Sequence, residues 1–376
     1  VTKVSPTPFR IQSPLDEHYS RATNDELHNR IAEAKKTLGS DLVILGHHYQ
    51  RDEVIHFADS RGDSYKLARF AAENASASNV VFCGVHFMAE SADILTNENQ
   101  KVYLPDLNAG CSMADMATLS QVQRAWTQFS SVVSDDDVVP ITYMNSSADI
   151  KAFVGEHDGA VCTSSNAQLI IEWGLRKGKH IFFIPDQHLG RNTAFDMGYN
   201  ESDCYVYDPR RSIEFNAAQA AATTFWLWKG HCTTHQRFTP EHINAFRAEN
   251  PDGIVVVHPE TSHKVVEIAD VVGSTEKIID YVDAAPSGST IGVATEVHLV
   301  QRLAKENPDK TVTSLDPLYC PCSTMFRIDL PHLAWCLENI VQGTPVNEIS
   351  VDSRTRDFAR MSLQKMLDIS EGATTD

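Results

Sequence analysis

The chain has 376 residues, enough for two or three domains of about 100–200 residues each, and its 42% apolar content can fill substantial cores. With 32 basic against 50 acidic residues the formal net charge is −18, which argues against nucleic acid or an anionic membrane surface as a partner. There is no charged-then-apolar leader and no long apolar run, so a soluble, cytoplasmic protein is expected, and 8 cysteines in such a chain are too sparse for a disulfide scaffold.

Residues 1–22 carry Pro6, Pro8 and Pro14 and read as an extended N-terminal arm. Thr23 and Glu26 then fit a capping box, Leu27, Ile31 and Leu38 share one helix face, and Gly39 is a stop signal. After this helix, short apolar runs that end in polar residues recur, each followed by an amphipathic stretch. Leu42-Val43-Ile44-Leu45 leads into Gly46-His47-His48-Tyr49, Val138-Val139-Pro140-Ile141 into Thr142-Tyr143-Met144-Asn145, and Ile254-Val255-Val256-Val257 into His258-Pro259-Glu260. They are spaced by roughly 100 residues, about one small domain. Second strands are expected around Asn79–Gly84, Gly159–Ser164 and Ala269–Ser274. Strands ending in Pro-Asp are expected at Val102–Asp106 and Ile181–Asp186, with Thr311–Pro317 as a weaker third member. Buried strands alternating with helices predict the α/β class with parallel sheets. The polar residues gather at strand ends, where open α/β sheets bind ligands. The economical architecture is three similar α/β domains around one central site: 23–117 with 331–376 packing back on it, 118–238, and 239–330.

Three side-chain groups can carry chemistry. Cys111, Cys232 and Cys320 sit in Gly- or Pro-bearing stretches far apart in the chain, and three converging thiolates would leave one corner of a cubane iron–sulfur cluster open to substrate. Their spacing matches no zinc finger or ferredoxin run, and against this reading most cysteines are small buried apolar residues. That description suits Cys83 and Cys162 in apolar strands and Cys336 beside Trp335 and Leu337, with Cys204 undecided. Imidazoles at His47, His48 and His258 can hold carboxylate or carbonyl oxygens, and Tyr49 and Glu260 can move protons. A mononuclear metal site from His47, His258 and Glu260 is the alternative. Ser64, Ser164 with Ser165, and Ser274 with Thr275 precede expected helices. They are N-caps worth about 1 kcal/mol each, or, facing one centre, an anion pocket.

Taken in order, His47-x-Tyr49-Gln50, Gly62-Asp63-Ser64, Asn108-Ala109-Gly110-Cys111-Ser112-Met113-Ala114, Tyr143-Met144-Asn145-Ser146-Ser147-Ala148, Cys162-Thr163-Ser164-Ser165-Asn166-Ala167, Gly230-x-Cys232-x-x-His235-x-Arg237-Phe238-Thr239, His258-Pro259-Glu260, Gly273-Ser274-Thr275 and Cys320-Pro321 resemble the quinolinate synthase family, iron–sulfur enzymes of de novo NAD biosynthesis. The resemblance covers about residues 40–340. It implies three α/β domains in pseudo-threefold arrangement around a central site, each giving one cysteine (Cys111, Cys232, Cys320) to a [4Fe–4S] cluster. It implies condensation of iminoaspartate with dihydroxyacetone phosphate to quinolinate, with loss of phosphate and two waters. Tyr49 and Glu260 would transfer protons. His47, Ser64, His258, Ser274 and Thr275 would hold substrate oxygens, while Tyr143, Asn145 and Ser164 would line the cavity. A homodimer and transient contact with an aspartate oxidase supplying iminoaspartate are further implications. Cys322 adds a second thiol beside Cys320, as substitute ligand, redox partner or neighbour, and the Cys-Pro context selects Cys320. Met325 matches a methionine frequent in the family, and Phe326 stands where asparagine is frequent. A different cluster-dependent hydro-lyase and a non-catalytic iron–sulfur sensor are the competing functions.

Overall fold

The computed structural model describes residues 11–319 and 321–372. These fall into two compact units, one running up to Cys111 and resuming at Pro321–Val351, the other comprising Ser112 onward to the Cys-Pro-Cys run and the segment from Asp352. Pro6 and Pro8 of the expected arm and Cys320 lie outside the described residues. The arm is not extended throughout: Glu17–Ser20 forms a helical turn, started by the Asp16 side chain accepting from His18 N.

The helix Asn24–Leu38 opens the first unit. Thr23 N donates to Glu26 Oε2 at 2.8 Å and Glu26 N to Thr23 Oγ1 at 3.3 Å, so two orphan donors are satisfied reciprocally. Gly39 ends it at φ +52°, a left-handed backbone that glycine tolerates best. The sheet behind it contains β1 (Leu42–His47), β2 (Ser60–Gly62), β3 (Asn79–Cys83), β4 (Lys101–Tyr103) and β14 (Glu348–Ile349), in the order β14-β4-β3-β1-β2. All pairs are parallel except β14 against β4.

The second unit holds two wholly parallel sheets. One comprises β5 (Val138–Tyr143), β6 (Ala160–Cys162), β7 (His180–Ile184), β8 (Cys204–Tyr207) and β9 (Phe225–Trp228), ordered β6-β5-β7-β9-β8. The other comprises β10 (Ile254–Val257), β11 (Val271–Val272), β12 (Thr290–Ala294) and β13 (Thr311–Ser314), ordered β11-β10-β12-β13. Aromatic rings fill one face of the first of these, with Phe129 stacked on Trp226 at 3.9 Å. β1, β5 and β10 therefore hold the same place in their three sheets, between the second and third strands. This is the switch point of an open α/β sheet, where the chain leaves in opposite directions and a crevice opens beyond the carboxyl ends.

Two sequence expectations need correction. The segment 331–376 does not return as a whole to the first unit. The helix Leu330–Val341 and β14 belong there, but the helix Ser353–Ser370 lies in the second unit, packed along Ala148–Glu156. The close approach depends on Gly155, where an added Cβ would stand 2.0 Å from the Phe358 carbonyl oxygen. The two strong Pro-Asp endings are also not equivalents. β4 is the fourth strand of its sheet and β7 the third, so Asp106 corresponds to Asp316 after β13 rather than to Asp186. Their partners agree: Arg327 pairs with Asp106 at 2.7 Å and Arg237 with Asp316 at 2.8 Å, whereas Asp186 caps the helix Gln187–Asp196. Among the described residues no helix is long and apolar enough to cross a membrane.

Candidate active site

The switch points present pairs of residues two apart: His47 and Tyr49, Tyr143 and Asn145, His258 and Glu260. In the first unit Tyr49 N donates to His47 Nδ1 at 3.1 Å, and the Tyr49 ring stands edge-on to the imidazole at 4.9 Å. In the second unit Glu260 N donates in the same manner to His258 Nδ1 at 3.3 Å. Both histidines are buried. An imidazole that accepts at Nδ1 keeps Nε2–H as a donor, so each turn fixes the tautomer that can hold a carbonyl or carboxylate oxygen. Burial, reinforced by His235, pulls the His258 pKa down to about 3, which keeps this ring neutral.

Helix starts supply the hydroxyls. Ser64 and Thr275 are the first residues of Ser64–Glu73 and Thr275–Ala284, and both are buried. Asp63 caps the first helix through Lys66 N at 2.8 Å, and Ser274 caps the second through Lys277 N at 3.4 Å. Ser274 thus does structural work that Asp63 does in the repeat, while Ser64 and Thr275 occupy equivalent positions. Ser164 is half-buried in the turn before Ala167–Lys177. There Asn166 Oδ1 takes the Thr163 N–H at 2.6 Å.

Glu260 is the focus of the second unit. His235 Nδ1 lies 2.8 Å from Glu260 Oε2, and the Tyr143 hydroxyl also donates to this carboxylate. Burial alone would raise the Glu260 pKa. His235, His258 and Tyr143 outweigh it and hold the group well below the usual carboxylate range. Asp186 moves the opposite way, pushed up by its burial and then by the charge of Glu260. The two buried carboxyls are thus shifted in opposite directions. Ligand atoms of Cys232, His235 and Glu260 all lie within 4.8 Å of one another. The metal-capable group found here therefore differs from the alternative of His47, His258 and Glu260. It places a thiol beside the proton-transfer candidate.

The cysteines sort by environment. Cys83, Cys162, Cys204 and Cys336 are buried, and burial pushes Cys83 and Cys204 up to about 12 and the other two higher still. Such thiols make poor ligands, because the thiolate is the binding form. Cys111, Cys232 and Cys322 are half-buried. Each stands three residues ahead of a 3₁₀ turn, respectively Ala114–Met116, His235–Arg237 and Met325–Arg327. Each is also seven residues ahead of a helix N-cap, Thr118, Thr239 or Asp329. Gln236 N closes on Cys232 O at 3.0 Å and Phe326 N on Cys322 O at 2.9 Å. Cys322, rather than Cys320, therefore shares the register of Cys111 and Cys232. The residues following Cys111 and Cys232 also meet, Ser112 Oγ lying 3.4 Å from Thr233 Oγ1. A half-buried cysteine of this kind suits a soft metal as a thiolate ligand.

Sequence reasoning missed several residues that shape this region. Asn192 donates to the Pro259 and Thr261 carbonyls at 2.8 and 2.9 Å, and Gln236 Nε2 to Glu260 O at 2.8 Å, so the turn bearing His258 and Glu260 is held from two sides. Lys151, fully buried, donates to the Met144 and Ser146 carbonyls on either side of Asn145. For Lys151 the only sequence signal was a lysine in a mostly apolar helix. Phe326, flagged as unusual, lies under the Arg51 guanidinium at 3.4 Å, and Gln50 Nε2 reaches Met325 O at 3.2 Å.

Parallel sheets carrying acid–base side chains at their switch points, with thiols heading repeated turns, define an α/β enzyme. The family model described as Quinolinate synthetase A protein matches residues 29–368, and the chain belongs to that family. Relatives named quinolinate synthase include those of Corynebacterium glutamicum, 52% identical over 359 residues (95% of this chain, 91% of the relative), and Bacillus subtilis, 49% identical over 355 residues (94% and 96%). That of a Nocardioides species is 53% identical over 354 residues (92% and 90%).

Proposed function

We propose that this enzyme condenses iminoaspartate with dihydroxyacetone phosphate to quinolinate, releasing phosphate and two waters. Its three domains are the arm-following segment 23–117, 118–238 and 239–330, and Cys111, Cys232 and Cys322 hold a [4Fe–4S] cluster. The Cys-Pro context had selected Cys320. The repeated spacing of cysteine, 3₁₀ turn and N-cap supports Cys322 instead. When bound, the cluster supplies a Lewis-acidic iron for a substrate oxygen.

The protein's own groups account for the rest. The neutral His258, and His47 in its matching turn, offer Nε2–H to carboxylate or carbonyl oxygens. Ser64, Thr275 and Ser164 lie at or just ahead of helix N-termini and suit phosphate or carboxylate. Asn145 and Tyr143 supply further polar edges. The ionised Glu260 takes a proton when the carbon–carbon bond forms and when water leaves, and Tyr49 donates one. The observation that carries the reading is the buried Glu260, paired with His235 at 2.8 Å, hydrogen-bonded by Tyr143 and within 4.8 Å of the Cys232 thiol.

The test is anaerobic purification, iron analysis and a quinolinate assay. About four irons per chain and quinolinate from the two substrates are expected. Glu260→Gln should keep the iron and lower kcat by about 100-fold or more. A fully iron-loaded protein that forms no quinolinate would refute the assignment.

A further inference from the structure

We propose that three contacts, Asp106 with Arg327, Asp316 with Arg237 and Trp228 with the Met116 carbonyl, are positioning latches that hold the thiol-bearing loops in place and so set how tightly metal is retained. This rests on the cluster reading set out above. Cys111, Cys232 and Cys322 lie beyond the ends of β4, β9 and β13. Those strands hold one place in their sheets, each paired with the third strand, β3, β7 or β12. The 3₁₀ turns that follow the thiols close on Met116, Arg237 and Arg327. Each time, the approach to one thiol is tied to the turn after another. Asp106, ahead of Cys111, has Oδ2 2.7 Å from Nη2 of Arg327, which follows Cys322. Asp316, ahead of Cys322, accepts at 2.8 Å from Nε of Arg237, which follows Cys232. Trp228, ahead of Cys232, donates from Nε1 at 2.9 Å to the carbonyl of Met116, which follows Cys111. The first contact lies within the first unit, and the other two lie within the second.

The two aspartates are built alike. Asp106 Oδ1 accepts from Asn108 N at 2.8 Å, and its carbonyl accepts from Ala109 N at 3.0 Å. Asp316 repeats this with Leu318 N at 2.9 Å and Tyr319 N at 3.2 Å. One carboxylate oxygen thus shapes the turn toward the thiol, while Oδ2 reaches across to the arginine. Both aspartates are buried. Taking a carboxylate out of water costs about what an ion pair gains, so such a pair adds little net stability. What it adds is a fixed direction for both loops.

Trp228, also buried, makes the third link without a charge. The link recurs while its chemistry changes, which marks the placement of the loops, rather than either ion pair, as the property the fold keeps. Thiolates that share one metal group need such placement. A supporting shell must hold ligands to within about 0.5 Å, and loss of one supporting partner costs about 10–100-fold in metal affinity.

The experiment uses anaerobically purified holoenzyme. Release of iron to a chelator is followed by loss of the iron–sulfur absorbance, with the thermal midpoint measured alongside. Asp106→Asn and Asp316→Asn keep an Oδ1 acceptor for the turn and lose the charge on Oδ2. Trp228→Phe keeps an aromatic ring and loses the donor. Asp270→Asn is the control, because Asp270 also divides its carboxylate between a backbone N–H (Val255, 2.8 Å) and an arginine (Arg247, 2.8 Å), but at the start of β10. Iron release should quicken about tenfold or more in both latch aspartate variants and about fivefold in Trp228→Phe, and should stay at the wild-type rate in Asp270→Asn. Asp316→Asn combined with Arg237→Gln should release iron no faster than the faster single variant, since both remove one link. Wild-type release rates in the latch variants overturn the inference. So does equal quickening in Asp270→Asn, which would make the effect one of general stability, and so do effects that multiply in the double variant. If one variant fails to fold, the other two latches decide. Wild-type protein that binds no iron would remove the cluster reading and the latches with it, whereas iron-loaded protein that forms no quinolinate would remove the condensation and leave the latches standing.

Discussion

Lys151→Met removes the amine that ties down the turn carrying Asn145 while keeping the volume of the side chain. In the second unit the Lys151 Nζ donates to Met144 O at 2.8 Å and to Ser146 O, and the residue is fully buried. A hydrogen bond to a charged group contributes about 1.5–3 kcal/mol, and leaving a buried carbonyl unpaired costs about 1–3 kcal/mol. Relief from burying an ammonium offsets part of this, so a net loss of about 3 kcal/mol is expected. The unfolding midpoint, followed by far-UV circular dichroism, should fall by roughly 5 °C. Because both carbonyls flank Asn145, KM should rise more than kcat falls. Lys151→Arg should do no better than Met, since the guanidinium fork is too broad for a slot shaped around an amine. A Lys151→Met protein with the wild-type midpoint and KM would show that the amine neither stabilises nor positions this turn.

Three further outcomes are expected. Cys322→Ser, like Cys111→Ser and Cys232→Ser, should abolish the iron–sulfur absorbance of anaerobically purified protein, and Cys320→Ser should keep it; the reverse pattern would return the ligand to Cys320. His258 is held neutral, so below about pH 6.5 the unfolded chain takes up a proton that the folded chain refuses until near pH 3. Stability should therefore fall by roughly 2 kcal/mol between pH 7 and pH 5, and urea titrations of His258→Asn should lack this component. Gly155→Ala should destabilise the second unit by about 3 kcal/mol or more, because the new methyl meets the Phe358 backbone; a wild-type thermal midpoint would show that the helix Ser353–Ser370 can shift without cost.

The switch-point pairs were legible because strand and site coincide there. An apolar run of four to six residues must be buried, and the polar residue that follows it must emerge at the carboxyl edge. His47, Tyr143 and His258 were therefore placed at strand ends from pattern alone. The buried state of Cys83, Cys162 and Cys336 was legible for the same reason. Cys320 was preferred in the sequence because proline is a strong local signal, whereas the register that supports Cys322 appears only when the 3₁₀ turns and N-caps are aligned. Ser274 and Thr275 could not be ranked before the cap bond to Lys277 was seen. His235 and Lys151 meet residues far along the chain or across a turn, and no periodicity encodes such contacts. The Pro-Asp endings misled because local chain chemistry is alike at β4 and β7, whereas sheet position is set by crossover connections.

The two units are interleaved along the polypeptide, and this bears on how the protein is made. The first unit gains β14 only when residues 348–349 leave the ribosome, and the second gains the helix Ser353–Ser370 only after that. Until then β4 offers an open sheet edge to any passing strand, and Ala148–Glu156 lacks the helix that covers it. Nascent chains of this enzyme therefore stay half-covered while the segment between β4 and β14 is made, which is the interval in which a chaperone would find them.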